Sequence, residues 1–189
     1  MTSGTKTKHD PLRKGVFAAL ALLLGACSAA QDNIPLPCPK TTVLADASSV
    51  TRFINATGRD IIDIDFEGTI SGLSGSCAYN IDEDTGEGVI NLEARPEFKI
   101  SRGAANKTRQ VEFLYFASLV DAEGQVIEKQ TFPFALKFKG NKTTIVDEDA
   151  PLELTIPVKF GQSGDDFNIL VGFQISREEL EYNRAKWRQ

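Results

Sequence analysis

The chain has 189 residues, with 21 Lys and Arg against 26 Asp and Glu, a formal charge of −5 at pH 7 and one histidine. The acidic balance disfavours a nucleic-acid function, because phosphate binding needs a basic face. The histidine, His9, stands in the N-terminal leader. The rest of the chain therefore has no imidazole for a Ser-His-Asp or Cys-His nucleophile, a His-ligated zinc or acid–base work.

The leader has three parts in order. Lys6, Lys8, Arg13 and Lys14 are basic, Val16 to Leu24 is an apolar run of nine residues, and Leu24-Gly25-Ala26-Cys27 closes it. Nine residues are too few to span a bilayer as a helix, which takes about 20. Basic lead, short apolar core and small residues at the end describe a secretory signal peptide over residues 1–26. The closing Leu24-Gly25-Ala26-Cys27 resembles the lipobox of bacterial lipoproteins. That resemblance implies cleavage before Cys27 and transfer of diacylglycerol to this cysteine, which then carries three acyl chains such as palmitate, each buried methylene contributing roughly 0.8 kcal/mol of membrane affinity. The competing expectation is ordinary cleavage after Ala29 or Ala30, releasing a soluble periplasmic protein. Ser28 stands where an inner-membrane retention signal often places Asp, so the resemblance implies the outer membrane, facing the periplasm.

Removing 26 residues leaves 163, one domain's worth, with 17 Lys and Arg against 25 Asp and Glu, a formal −8. Residues 27–40 hold Pro35, Pro37 and Pro39 in a polar stretch and read as an extended tether. No second apolar segment approaches membrane-spanning length. Besides Cys27 the cysteines are Cys38 and Cys77, and an even pair in an oxidising compartment reads most simply as a disulfide. The rival reading, a reactive thiol or metal pair, lacks the close C-x-x-C spacing.

Residues 41–175 alternate with period two. Ile62, Ile64, Phe66 and Ile70 face one way and Asp63, Asp65, Glu67 and Thr69 the other. Cys77, Tyr79 and Ile81 follow, then a turn over residues 82–88, then Ile90, Leu92, Ala94, Phe98 and Ile100. Val111 to Leu119 is the longest run and leads through a hairpin loop at 121–124 into Val126 to Phe132 and on to Phe138. Leu152 to Phe160 alternate, and Ile169 to Ile175 form the last strand. Pro133 and Pro157 each point to an edge strand, Pro133 alternatively to a bulge. Eight or nine short strands with no helical period between them predict an all-β, antiparallel β-sandwich, immunoglobulin-like in style. Ser176-Arg-Glu-Glu179 is a capping box that opens a short C-terminal α-helix within residues 176–189. Leu180, Arg184 and Trp187 share one face of it. Docking with Trp187 as a lid is the plainer expectation, and a partner-binding or membrane-surface helix the sharper one.

Candidate chemistry is sparse. Asp82, Glu83, Asp84 and Glu87 could hold calcium, yet the spacing fails the EF-hand pattern and reads as a solvated turn. Asp63, Asp65 and Glu67 read as the wet face of a strand. Asp147-Glu148-Asp149 and Asp165-Asp166 read as loop charge. Gly68, Gly72 and Gly75 make no phosphate cradle and are expected in turns. Phe98, Phe113, Phe116, Phe132, Phe134, Phe138, Phe160 and Phe173 read as packed core rather than a ligand pocket. The sequons at Asn55, Asn106 and Asn141 mean little in a bacterial envelope. No catalytic residue, metal or cofactor is expected.

The stretches Cys38-Pro39-Lys40, Val43 to Ala47, Thr51-Arg52-Phe53, Ser74 to Tyr79, Leu170 to Gln174 and Leu180 to Arg184 together resemble a group of uncharacterised bacterial lipoproteins. Cys77-Ala78-Tyr79 is also similar to a Cys-x-Tyr-Asp pattern in an accessory lipoprotein of the β-barrel assembly machinery, with Asn80 in place of the Asp. The resemblance implies an envelope location and supplies no activity. The resulting expectation is a lipid-anchored, non-enzymatic protein–protein interaction module in envelope assembly or maintenance, bound to the membrane through Cys27 and to an envelope protein, without nucleic acid. The alternatives are a small-ligand or lipid carrier, which needs an apolar cavity, and a His-free hydrolase, which needs two inward carboxylates at a cleft.

Overall fold

A computed structural model describes residues 1, 4, 36–54 and 59–186. Among them are nine strands: β1 (Lys40–Val43), β2 (Ser49–Phe53), β3 (Ile64–Ile81), β4 (Gly88–Arg102), β5 (Gln110–Asp121), β6 (Val126–Lys137), β7 (Thr144–Glu148), β8 (Leu152–Val158) and β9 (Phe167–Phe173). One helix, α1 (Arg177–Lys186), follows. The strands form two sheets packed as a sandwich. One runs β1-β9-β5-β6, and the other β2-β3-β4, with β7 and β8 sharing the outer edge of β4. All pairs are antiparallel except β1 with β9.

The alternation in the sequence selects which face is dry. Leu152, Leu154, Ile156 and Val158 are buried and their neighbours on β8 exposed. Val111, Phe113, Tyr115, Ala117 and Leu119 point into the core from β5. Six rings meet at its centre. The Phe98 ring lies 5.1 Å from Phe113, 5.0 Å from Tyr115, 5.0 Å from Phe134 and 5.6 Å from Phe173, and Phe66 stands 6.0 Å from Phe113. Tilted and edge-on approaches at these distances are the favoured aromatic geometry.

Both prolines lie on edge strands. β6 pairs only with β5 and β8 only with β4. The Phe138 N–H donates to the Arg109 carbonyl, so even-numbered residues of β6 turn their backbone toward β5. Pro133 is odd-numbered, and its missing N–H falls on the open side.

Several expectations change. The two runs read at 62–70 and 77–81 are one 18-residue strand, β3. Gly68, Gly72 and Gly75 therefore sit inside a strand and not in turns. Gly68 faces the core, where an added Cβ would stand 2.9 Å from Ile100 and 3.1 Å from Phe173 and Val50. Ile62 belongs to a 3-10 turn over Ile61–Asp63 and is exposed. Phe160 lies beyond the end of β8 and is 81% exposed. Phe116 is buried outside the central cluster, under the Lys129 ammonium at 4.2 Å. Asp147 and Glu148 are in β7 and not in a loop. The tether read through residue 40 already joins the sheet at Lys40.

Candidate interaction site along the helix seam

Leu24, Gly25, Ala26 and Cys27 lie outside the described residues, as do Asn55 and Trp187. Cys38 and Cys77 are bonded, with their Cα atoms 5.7 Å apart. Period two places Tyr79 on the same face of β3 as Cys77. The Tyr79 hydroxyl donates to the Pro37 carbonyl at 2.5 Å and accepts from the Gly164 N–H at 2.6 Å. A Cβ on Gly164 would stand 2.1 Å from the Pro37 oxygen, so only glycine lets the incoming chain pass. Both members of the Cys77-Ala78-Tyr79 pattern thus grip the segment that leads into β1.

The acids are mostly accounted for locally. The Asp82 carboxylate accepts from the N–H groups of Asp84 and Thr85 and from the Thr85 hydroxyl, which holds it below the usual carboxylate range. Asp166 caps its own turn through the Ser163 N–H at 2.7 Å. Asp65 and Glu67 alternate with buried Ile64 and Phe66, as expected of a wet face. Asp149 is different. It is half-buried and accepts from the Tyr115 hydroxyl at 2.6 Å, tying β5 to the connection between β7 and β8. Burial, aided by that carboxylate, raises Tyr115 well above the ordinary phenol value, so it stays a donor. Asn106 is also structural: its amide donates to the Gln110 carbonyl and accepts from the Arg109 N–H. Among the described residues no group of three or more His, Cys, Asp or Glu could hold a metal, and no helix is long and apolar enough to cross a membrane.

α1 packs along the outer edge of β2 and makes a seam there. The expected capping box forms: the Glu179 carboxylate accepts from the Ser176 N–H at 2.8 Å, and the Ser176 hydroxyl from the Glu179 N–H at 3.2 Å. The other Glu179 oxygen lies 2.7 Å from Arg52 Nε. That N–H is not aimed at the oxygen, so the contact is an ion pair without a hydrogen bond. Further along, Tyr182 meets Phe53 edge-on at 5.3 Å and Asn183 Nδ2 donates to the Ser49 carbonyl at 2.8 Å. Arg184 pairs with Asp46 and Lys186 with Glu67. The Arg184 hydrogen bond lowers the Asp46 pKa, so this contact is complete above the ordinary carboxylate range and weakens in acid. The helix therefore docks chiefly through polar groups.

Arg52 separates two open clefts. One, about 240 Å³, is lined by Phe53, Arg59, Glu178 and Tyr182 among others. The second, about 330 Å³, lies where β9 stops short of the end of β5 and is lined by Glu112, Phe113, Leu114 and Gln174 among others. These clefts can seat peptide side chains; Glu178 and Glu179 both line the first, where Glu179 is held by its cap and by Arg52. The sequence showed the capping box but not its target: nothing in the pattern of β2 marks Arg52 as a partner of residues 127 positions away.

Replacing Glu179 separates its two roles. Glu179→Gln keeps an acceptor for the Ser176 N–H and should lower stability by no more than about 1 kcal/mol, because the Arg52 side chain is 40% exposed and an ion pair open to solvent on one side contributes little. Glu179→Ala loses the cap as well and should cost about 1.5 kcal/mol in urea unfolding. Equal losses would mean the cap contributes nothing.

No protein-family model matches the chain, and no curated protein matches it at a significant level. Among solved structures it is similar to the variable (V) domain of the AgI/II polypeptide BspA of Streptococcus agalactiae. The identity is 15%, the match covers 70% of this chain and 75% of that one, and the TM-score is 0.17. A likeness this low carries no argument about the site.

Proposed function

We propose that the chain is an exported envelope protein, anchored by lipid on Cys27 and facing the periplasm from the outer membrane, whose sandwich is a non-enzymatic protein–protein interaction module. The observation that carries this reading is the clamped approach of the chain to the sandwich. A disulfide suits an oxidising compartment, and Cys38–Cys77 fastens the domain eleven residues after the cysteine of the lipobox-like motif. The filled aromatic core counts against a carrier, which needs an internal cavity. The outward acids of β3, Asp65 and Glu67, count against the paired-carboxylate hydrolase.

The test is metabolic labelling with a palmitate analogue, membrane fractionation and in-cell crosslinking of the tagged protein. The expected result is a labelled protein in the outer-membrane fraction, crosslinked to a reproducible partner, with label and fraction lost in Cys27→Ala. A soluble, unlabelled protein would overturn the anchor, and absence of a partner above background would overturn the interaction module.

A further inference from the structure

The two ends of the sandwich differ in charge. Leu36 enters at the end that carries the 82–87 turn and the β5–β6 hairpin, since β1 runs parallel to β9 and Phe167 of β9 pairs with Asp121. The 18 residues of β3 put the opposite tip roughly 50 Å away. At that tip meet the loops 103–109 and 138–143. The segments 99–110 and 137–146 hold seven Lys and Arg and no acid. They are brought together by Arg102 N–H donating to the Thr143 carbonyl and Phe138 N–H to that of Arg109.

The arginines here are struts. Arg109, at φ 61°, donates to the carbonyls of Phe138 and Gly140, and Arg102 donates to that of Asn106. The lysines are left outward. The side chains of Lys139 and Lys142 are exposed and have no ion pair or hydrogen bond among the described residues, and the Lys107 ammonium bonds the Ala104 carbonyl. Beside them the 3-10 turn exposes Ile61 by 77% and Ile62 by 68%, and Ala105 N–H donates to the Ile64 carbonyl at 3.0 Å. Nearby Asp60 is turned onto the Ile61 N–H.

We infer that this tip docks an acidic protein partner: Ile61 and Ile62 bury against it while Lys107, Lys139 and Lys142 meet its carboxylates. The inference rests on the interaction-module reading and names its surface and the chemistry of its partner. An apolar centre beside flexible cations is the build of a protein interface. A nucleic acid would want stacking platforms, and the one aromatic of these loops, Phe138, is buried. An extended polyanion would also run onto an acidic body.

The experiment places a photo-reactive residue in the full-length lipidated protein at position 61, at the tip, or position 127, which is exposed at the other end. Adducts from position 61 to a peptide rich in Asp and Glu, lost in Lys107→Glu/Lys139→Glu/Lys142→Glu but kept in Lys159→Glu, support the tip. Adducts from position 127 alone overturn it and leave the interaction module standing, and adducts from neither overturn both. In parallel, poly-L-glutamate and heparin are titrated against the purified protein. The triple reversal should weaken poly-L-glutamate about tenfold or more, with circular dichroism confirming the fold. Tighter binding of heparin, unchanged in Ile61→Ser, would mark a polyanion site and overturn the protein partner.

Discussion

Phe98→Ala is expected to lower the stability of the sandwich by about 4 kcal/mol. Phe98 has no exposed surface and stands at the centre of the ring cluster, within 5.6 Å of four other aromatic centroids. Truncation removes the transfer free energy of a whole ring and leaves a cavity. The neighbouring rings project from three rigid strands, β5, β6 and β9, of the opposite sheet, so they cannot collapse into it. For a domain of this size the thermal midpoint should fall by roughly 8–16 °C. Phe98→Leu, which refills most of the volume, should cost roughly half as much. The check is paired urea and thermal unfolding. A loss below about 1 kcal/mol would mean the rings enclose slack space, and the carrier reading would then regain its missing cavity.

What the sequence showed, and what it hid, follows from the range of the forces involved. β8 was legible because one face is packed and the other wet, so each residue from Leu152 to Val158 records its own environment. The capping box was legible because its partners are three residues apart. β1 and β2 are four and five residues long and half-buried, which leaves almost no alternation to read. β7 hid because its burial pattern is nearly all exposed, and its charged end looks like a loop. Phe160 misled because the run of alternating residues continues past the last ladder pair, Gly88 with Val158, into a loop where the ring is exposed and lies beside Gly86.

The candidate sites were less legible than the fold. Tyr115 with Asp149, Tyr79 with Pro37 and Gly164, and Arg52 with Glu179 are pairs made by topology, each more than 30 residues apart. A single sequence carries no mark of such pairings. The basic tip is a partial exception. Two long stretches without an acid stand in a chain where acids outnumber cations, but the overall charge of −5 averages them away. Charge read by segment would have found both loops, but the pairings of β5 with β6 and of β4 with β7 are what bring them to one place.

Replacing both Cys38 and Cys77 by Ser is expected to cost about 4 kcal/mol, the loop-closure entropy of a crosslink spanning 39 positions. The native contacts around the clamp need not change, since the Tyr79 hydroxyl still holds Pro37 and Gly164. The loss should arise mostly in the unfolded chain, and denaturant slopes can separate it from that of Phe98→Ala. Freeing residues 38–77 lets the unfolded chain expand, so the urea m-value should rise while the midpoint falls. Phe98→Ala acts on the folded core and should move the midpoint with m unchanged. An unchanged m-value and a loss under about 1 kcal/mol in the double serine variant would show that the clamp adds nothing beyond the Tyr79 contacts. A rise in m with the full loss would mean that the segment leading into β1 is stapled for stability, the crosslink acting on the unfolded chain and the Tyr79 contacts on the folded one.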